Sequence, residues 1–210
     1  MDITKTLKNL VNNNMDAYHL TSSDKVIPLL DILLSDSKTV SVGGSVTLSE
    51  LNIPEYLRCS NLEFFDRYKD GLTRPEIEHI FRQSFFADSY IMSSNAVTEN
   101  GELYNVDGNG NRIAALAFGP KNVIVIVGKN KIVRDIDEAV KRVKTVAAPK
   151  NCARLEKDTF CQKTGSCIFS EGKIGSGCKG DSICSSFIVT GYQQKKGRIK
   201  VIIVDEHLGY

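Results

Sequence analysis

The sequence predicts an α/β domain: a mainly parallel sheet flanked by helices. Three observations carry this. Short apolar runs alternate with helical periodicities along most of the 210 residues, the pattern of a parallel sheet covered on both faces. Asn122–Val127 is apolar at almost every position, as a strand buried on both sides requires. No repeat or low-complexity stretch marks a boundary, so a single domain is expected over residues 1–210, with 151–184 as a loop-rich insertion.

The elements follow in order. Asp2–Asn12 reads as a helix with Ile3, Leu7 and Leu10 on one face, and Asp16–Leu20 as a short strand. Ser23–Ser35 is a second helix, striped by Val26, Leu29, Leu30, Leu33 and Leu34. Pro28 fits only near its start, where a missing N–H costs little. Lys38–Val42 is a strand running into Gly43-Gly44-Ser45, and Val46–Leu51 opens the next helix. Leu62–Asp66 is a further strand. Thr73-Arg74-Pro75-Glu76 has the form of a capping box, ahead of a helix buried through Ile77, Ile80, Phe81 and Phe85. Ser89–Met92 and Leu103–Val106 are strands on either side of a turn at Glu99. Ile113–Phe118 is ambiguous, with a short helix as one reading. Val133–Val146 is amphipathic through Val133, Ile136, Val140 and Val143. Phe187–Tyr192 and Arg198–Val204 close the fold, separated by Gln193–Gly197.

Composition is ordinary for a soluble globular protein, with 41% apolar and 25% charged residues. A net charge of +2, with acids beside bases throughout, gives no reason to invoke nucleic acid or an anionic membrane. Met1–Asn14 lacks the uninterrupted apolar core of a secretory signal, and the longest apolar runs fall far below the ~20 residues of a spanning helix. A cytoplasmic protein without a membrane span is the expectation.

Chemistry is concentrated in three places. Gly43-Gly44-Ser45, with Thr47 close behind, follows a strand and opens a helix. Its backbone N–H groups and hydroxyls could receive an anion, or Ser45 could simply cap the helix. Thr98-Glu99-Asn100-Gly101 could present Glu99 as a nucleophile or base. Equally, Asn100-Gly101 is a strong hairpin signal that would leave Glu99 an edge charge, and on the residues alone the hairpin is favoured. Asp107–Arg112 joins a glycine-asparagine loop to a guanidinium. Asp107 could orient a ligand hydroxyl or move a proton, Asn109 could add a polar contact, and Arg112 could grip a carboxylate or phosphate. The alternative is an Asp107–Arg112 bridge or Asx turn that only stabilises the loop.

Cysteine is unevenly placed. Cys161 and Cys167, and then Cys178 and Cys184, form two pairs of matched spacing around a SEGKIGSG stretch, with Cys152 as an alternative fifth thiol. Four thiolates could hold zinc or an iron–sulfur cluster, although neither pair is a tight Cys-x2-Cys knuckle; reduced thiols on a surface loop are the alternative. Cys59 reads as an ordinary apolar side chain. His19, His79 and His207 are isolated, which leaves no support for a Ser/His/Asp or Cys/His hydrolase.

The stretch from Asn95 to Val146, with its TENG turn and VDGNGNR loop, resembles the lactate-utilization (LUD) domain family, and the likeness extends over nearly the whole chain. The resemblance implies a fold like that of ribose-phosphate isomerases and CoA transferases. It also implies a role in L-lactate oxidation beside iron–sulfur partner subunits. The TENG turn is similar to the turn that bears the nucleophilic glutamate of CoA transferases, which would give Glu99 that role and make the Gly43-Gly44 backbone its oxyanion donor. Cysteines in the family's corresponding segment are usually closer together, and the SEGKIGSG insert departs from that pattern, at Cys178 in particular. The ligand expected overall is a small anionic metabolite, and the oligomer expected by default is a homodimer.

Overall fold

The computed structural model describes residues 1–171 and 174–210. Gly172 and Lys173, inside the SEGKIGSG stretch, lie outside the described residues. The first half alternates helix and strand: α1 (Ile3–Asn12), β1 (Asp16–Leu20), α2 (Val26–Leu33), β2 (Thr39–Val42), α3 (Val46–Glu50), α4 (Ile53–Cys59), β3 (Glu63–Phe65), α5 (Arg74–Gln83) and β4 (Ser89–Met92). Then come β5 (Ala96–Thr98), β6 (Leu103–Asp107), α6 (Asn111–Phe118) and β7 (Asn122–Gly128). The chain ends with β8 (Ile132–Val133), α7 (Ile136–Arg142), α8 (Ala148–Arg154), α9 (Phe160–Thr164), β9 (Ser186–Thr190) and β10 (Ile199–Val204).

Local chemistry sets the helix starts. The Asp2 carboxylate accepts the Lys5 backbone N–H at 2.9 Å, satisfying a donor that α1 itself leaves unpaired. At α5 the expected capping box forms, with Glu76 reaching back to the Thr73 backbone N–H at 2.7 Å.

The main sheet has the order β1-β10-β7-β4-β2-β3, and every pairing in it is parallel. Its central strand shows why residues 123–127 are all apolar. Val123, Val125 and Val127 enter one core with Leu10, Tyr90 and Leu116, while Ile124 and Ile126 enter the opposite core with Leu30, Leu48 and Leu57. Strand alternation therefore delivers successive residues to two different cores.

A second sheet, β8-β5-β6-β9, packs with α7 around a third core that contains Tyr104, Val106 and Val140. Leu103–Val106 and Phe187–Tyr192 thus do not extend the parallel sheet. The short turn after β5 forces β6 back antiparallel, and β9 pairs antiparallel with β6. The amphipathic stretch expected over Val133–Val146 also divides. Val133 pairs in β8, Asp135 caps α7 by accepting the Glu138 N–H at 2.9 Å, and a π-helical turn spans Val143–Ala147. That turn precedes Pro149, which cannot donate to the helix behind it. The ambiguous Ile113–Phe118 lies in α6. No helix among the described residues is long and apolar enough to cross a membrane.

Candidate functional site

The strands of the main sheet release the chain at one edge, and there the structure holds a cavity of about 690 Å³. Its wall includes Gly44 and Ser45 after β2, Ser93 and Ser94 after β4, and Lys131 just beyond β7. This is the crevice outside strand carboxyl ends where open α/β sheets receive ligands. The VDGNGNR loop closes one side through Asp107, Asn109 and Arg112, and Arg67 and Arg74 close another. Among its charged residues, cations (Arg67, Arg74, Arg112, Lys131, Arg154 and Lys157) outnumber acids (Asp107 and Asp181).

The glycines are required by crowding. A Cβ on Gly43 would come within 3.1 Å of Arg112 Cγ and Cδ and of Tyr90 Oη, tighter than side chains normally pack. Gly44 is exposed to the cavity, and the nearest atoms to a Cβ there would belong to the Arg67 guanidinium, at 3.4 Å. That guanidinium lies over the Phe81 ring at 4.4 Å from its centroid. Among the described residues it makes no hydrogen bond or ion pair. Its donors are open to the cavity.

Several residues picked out by sequence have structural work. Ser45 caps α3 by accepting the Leu48 N–H. Thr47 is buried behind the cavity wall, where its hydroxyl donates to the Leu208 carbonyl at 3.2 Å and accepts from the Lys131 Nζ at 2.8 Å. Arg112 is fully engaged: its Nη atoms donate to Ser93 O, Asn105 Oδ1, Asn95 Oδ1 and Val106 O at 2.6–3.1 Å. Its Nε lies 3.6 Å from the Asp107 carboxylate. Asp107 also accepts the backbone N–H groups of Asn109 and Gly110, an Asx-type turn. Asn109 accepts from Arg74 at 3.3 Å. The guanidinium expected to grip an anion instead braces the wall, and Asp107 braces the guanidinium.

Glu99 is placed elsewhere. It does not line the cavity; its carboxylate accepts the Asp2 N–H at 2.9 Å and Lys5 Nζ at 3.1 Å. These contacts, the Asp2 N–H first and then Lys5, hold its pKa below the ordinary carboxylate value. The turn docks on α1 further through Asn9, which donates to the Glu99 carbonyl, and Asn13, which donates to the Gly101 carbonyl. Gly101 has φ +78° and meets the Asn9 backbone so closely that a Cβ would lie 2.5 Å from it. The TENG turn therefore fastens a helix, with the Glu99 carboxylate engaged by Asp2 and Lys5 and absent from the cavity lining.

Lys131 is the residue that sequence reading missed. It is 3% exposed, and its ammonium donates to the hydroxyls of Thr47 and Ser93 at 2.8 and 3.1 Å. Burial, then the positive charges of Arg142 and Arg112, push its pKa down to about 7. Its place three residues past the end of β7 does not by itself distinguish it from Lys129.

The cysteines occupy a second, smaller void of about 20 Å³, bordered by Cys152, Cys161, Cys167, Cys178 and Cys184. Burial and the neighbouring thiols raise Cys184 to about 12; burial, above all, raises Cys152 to about 11. Yet among the described residues no group of three or more Cys, His, Asp or Glu is placed to hold a metal ion. The four-thiolate set of Cys161, Cys167, Cys178 and Cys184 thus does not fit zinc or an iron–sulfur cluster as it stands. Cys59, expected as an apolar packing residue, is exposed on α4. His19, His79 and His207 are exposed and away from the cavity.

Residues 3–204 match the family model described as LUD domain. A crystal structure of a DUF162 family protein from Deinococcus radiodurans shares the fold, with a TM-score of 0.53 at 14% identity over 97% of this chain and 96% of that one. No curated protein matches the chain.

Proposed function

The chain belongs to the LUD domain family, and we propose that, in keeping with the lactate-utilization role that the resemblance implies, its cavity binds a small anionic metabolite, a carboxylate or phosphate, in support of L-lactate oxidation. One observation carries this reading: the Arg67 guanidinium faces the cavity beside the open Gly44 backbone with no acceptor of its own among the described residues. An uncompensated guanidinium is a ready partner for a planar carboxylate or a phosphate. Arg67 would grip the anion, Gly44 would let it reach the backbone, and Lys131 would add charge from the cavity floor. Arg112 and Asp107 act as positioning residues that hold the wall in place. The iron–sulfur partner subunits of lactate oxidation, and the likeness to ribose-phosphate isomerases and CoA transferases, belong to this reading through the sequence resemblance alone.

Thermal denaturation in the presence of L-lactate, pyruvate or inorganic phosphate tests it. At least one of the three raises the midpoint of the wild type, because a ligand that binds only the folded state stabilises it. The rise is absent in Arg67→Ala. No shift with any of them would remove the reading.

A second reading has one observation in its favour. Five thiols border a single void, and burial raises the pKa of two of them, Cys152 and Cys184, so that a soft cation would be needed for those two to ionise there. Such a role would require the 161–184 segment to draw in around the ion. Anaerobic purification with metal analysis tests it: stoichiometric zinc or iron, lost in Cys161→Ser/Cys167→Ser, is the supporting result.

A further inference from the structure

Lys131 is unusual among the cavity's cations. Arg112 is hydrogen-bonded to capacity, Arg74 pairs with Glu78, and Lys157 pairs with Asp181. The Lys131 amine is buried, lines the cavity, and among the described residues hydrogen-bonds only to the hydroxyls of Thr47 and Ser93. Arg142 and Arg112 face it from other elements, and Glu50 on α3 is the acid whose charge reaches it. Among the described residues no carboxylate forms an ion pair with it.

An amine so placed is a nucleophile as well as a charge. Resting on the anion-binding reading above, we propose that the ligand is an oxo acid, whose acid group Arg67 holds while the Lys131 amine condenses with its carbonyl to form an imine. The nitrogen lone pair forms a bond to the carbonyl carbon, and the C=O π pair moves to oxygen. One proton passes from nitrogen to that oxygen, giving a carbinolamine. The remaining nitrogen proton is then passed to that oxygen, which leaves as water while the nitrogen lone pair forms the C=N bond. The step exchanges amine and carbonyl for imine and water, and needs no oxidant or reductant. Ser93 and Thr47, hydrogen-bonded to the nitrogen, are the groups through which protons move. The neutral fraction of the amine that starts the step is substantial near pH 7, because burial and the flanking arginines have lowered its pKa.

Reductive trapping tests the idea. The full chain is incubated with pyruvate or glyoxylate, the smallest oxo acids, and sodium borohydride is added. Peptide mass spectrometry then locates any reduced adduct. A single adduct on Lys131, absent in Lys131→Arg and retained in Lys129→Arg, is the expected result. Trapping by the wild type rises as the pH is taken upward through about 7, a readout that needs no variant to fold. Labelling spread over surface lysines, or no adduct with either acid, overturns the imine. If pyruvate still raises the denaturation midpoint through Arg67 without an adduct, only the imine falls. If no adduct forms and none of L-lactate, pyruvate or phosphate raises the midpoint, the anion-binding reading falls with it.

Discussion

Gly43 lies directly against the side chain of Arg112, so that a Cβ at residue 43 would sit 3.1 Å from both Cγ and Cδ of the arginine. The strand-to-helix turn after β2 and the loop after β6 are far apart in sequence, and this contact is where they meet. Neither partner is free to change shape, because Arg112 is fixed by four hydrogen bonds. Gly43→Ala therefore overpacks the junction and costs about 1–3 kcal/mol in chemical denaturation. Gly44→Ala meets only ordinary contacts with Arg67 at 3.4 Å. It keeps wild-type stability and weakens anion binding, which calorimetry on the two variants distinguishes.

Arg112→Lys is not conservative here. An ammonium cannot reproduce a planar fork that reaches Ser93, Asn95, Asn105 and Val106 together. Orphaned buried acceptors cost about 1–3 kcal/mol, and urea denaturation of the variant shows a loss of that order. Wild-type stability in Arg112→Lys would return Arg112 to the role of a ligand-gripping residue.

Glu99→Gln tests the fastening of α1. The native carboxylate titrates below its ordinary value of 4.5 because it accepts from the Asp2 N–H and Lys5. A depressed folded pKa contributes stability that is present above pH 4.5 and lost as the pH falls through the lower, folded value. Wild type and Glu99→Gln therefore differ in stability near neutrality and converge in acid, with ligand binding at neutral pH unchanged. Loss of binding in Glu99→Gln, with α1 still docked by circular dichroism and proteolysis, would restore the catalytic assignment.

Thiol reactivity follows burial. Native alkylation at neutral pH labels exposed Cys59 before buried Cys152 and Cys161, and Cys184 reacts slowly because its thiol is held at about 12. Denaturant makes all six equivalent. Rapid native labelling of Cys152 would contradict the packing of that void.

The parallel sheet was legible because its signal is local. Residues 123–127 are apolar without alternation, and each side chain proves to have a core to enter. The capping box at Thr73 was legible for the same reason. The second sheet was not, since β5 and β8 are too short to show a period and β9 meets β6 only through long-range pairing. At the site, the glycines after β2 and the loop at Asp107 were found by their turn chemistry. Their roles were not, because whether a guanidinium is free or spent depends on acceptors contributed by other segments. Arg112 looked available and is saturated; Arg67, unmarked in sequence, is open. Lys131 stayed hidden because nothing in the run Lys129-Asn130-Lys131 tells which lysine turns inward.

Isothermal titration calorimetry of Arg67→Ala against wild type, using whichever of L-lactate, pyruvate or phosphate binds, tests the site most directly. Removing a charged hydrogen-bonding partner worth about 1.5–3 kcal/mol weakens binding roughly 10- to 100-fold while the fold is retained. Equal affinity in the two proteins would show that the anion, if bound at all, is held somewhere other than beside Gly44.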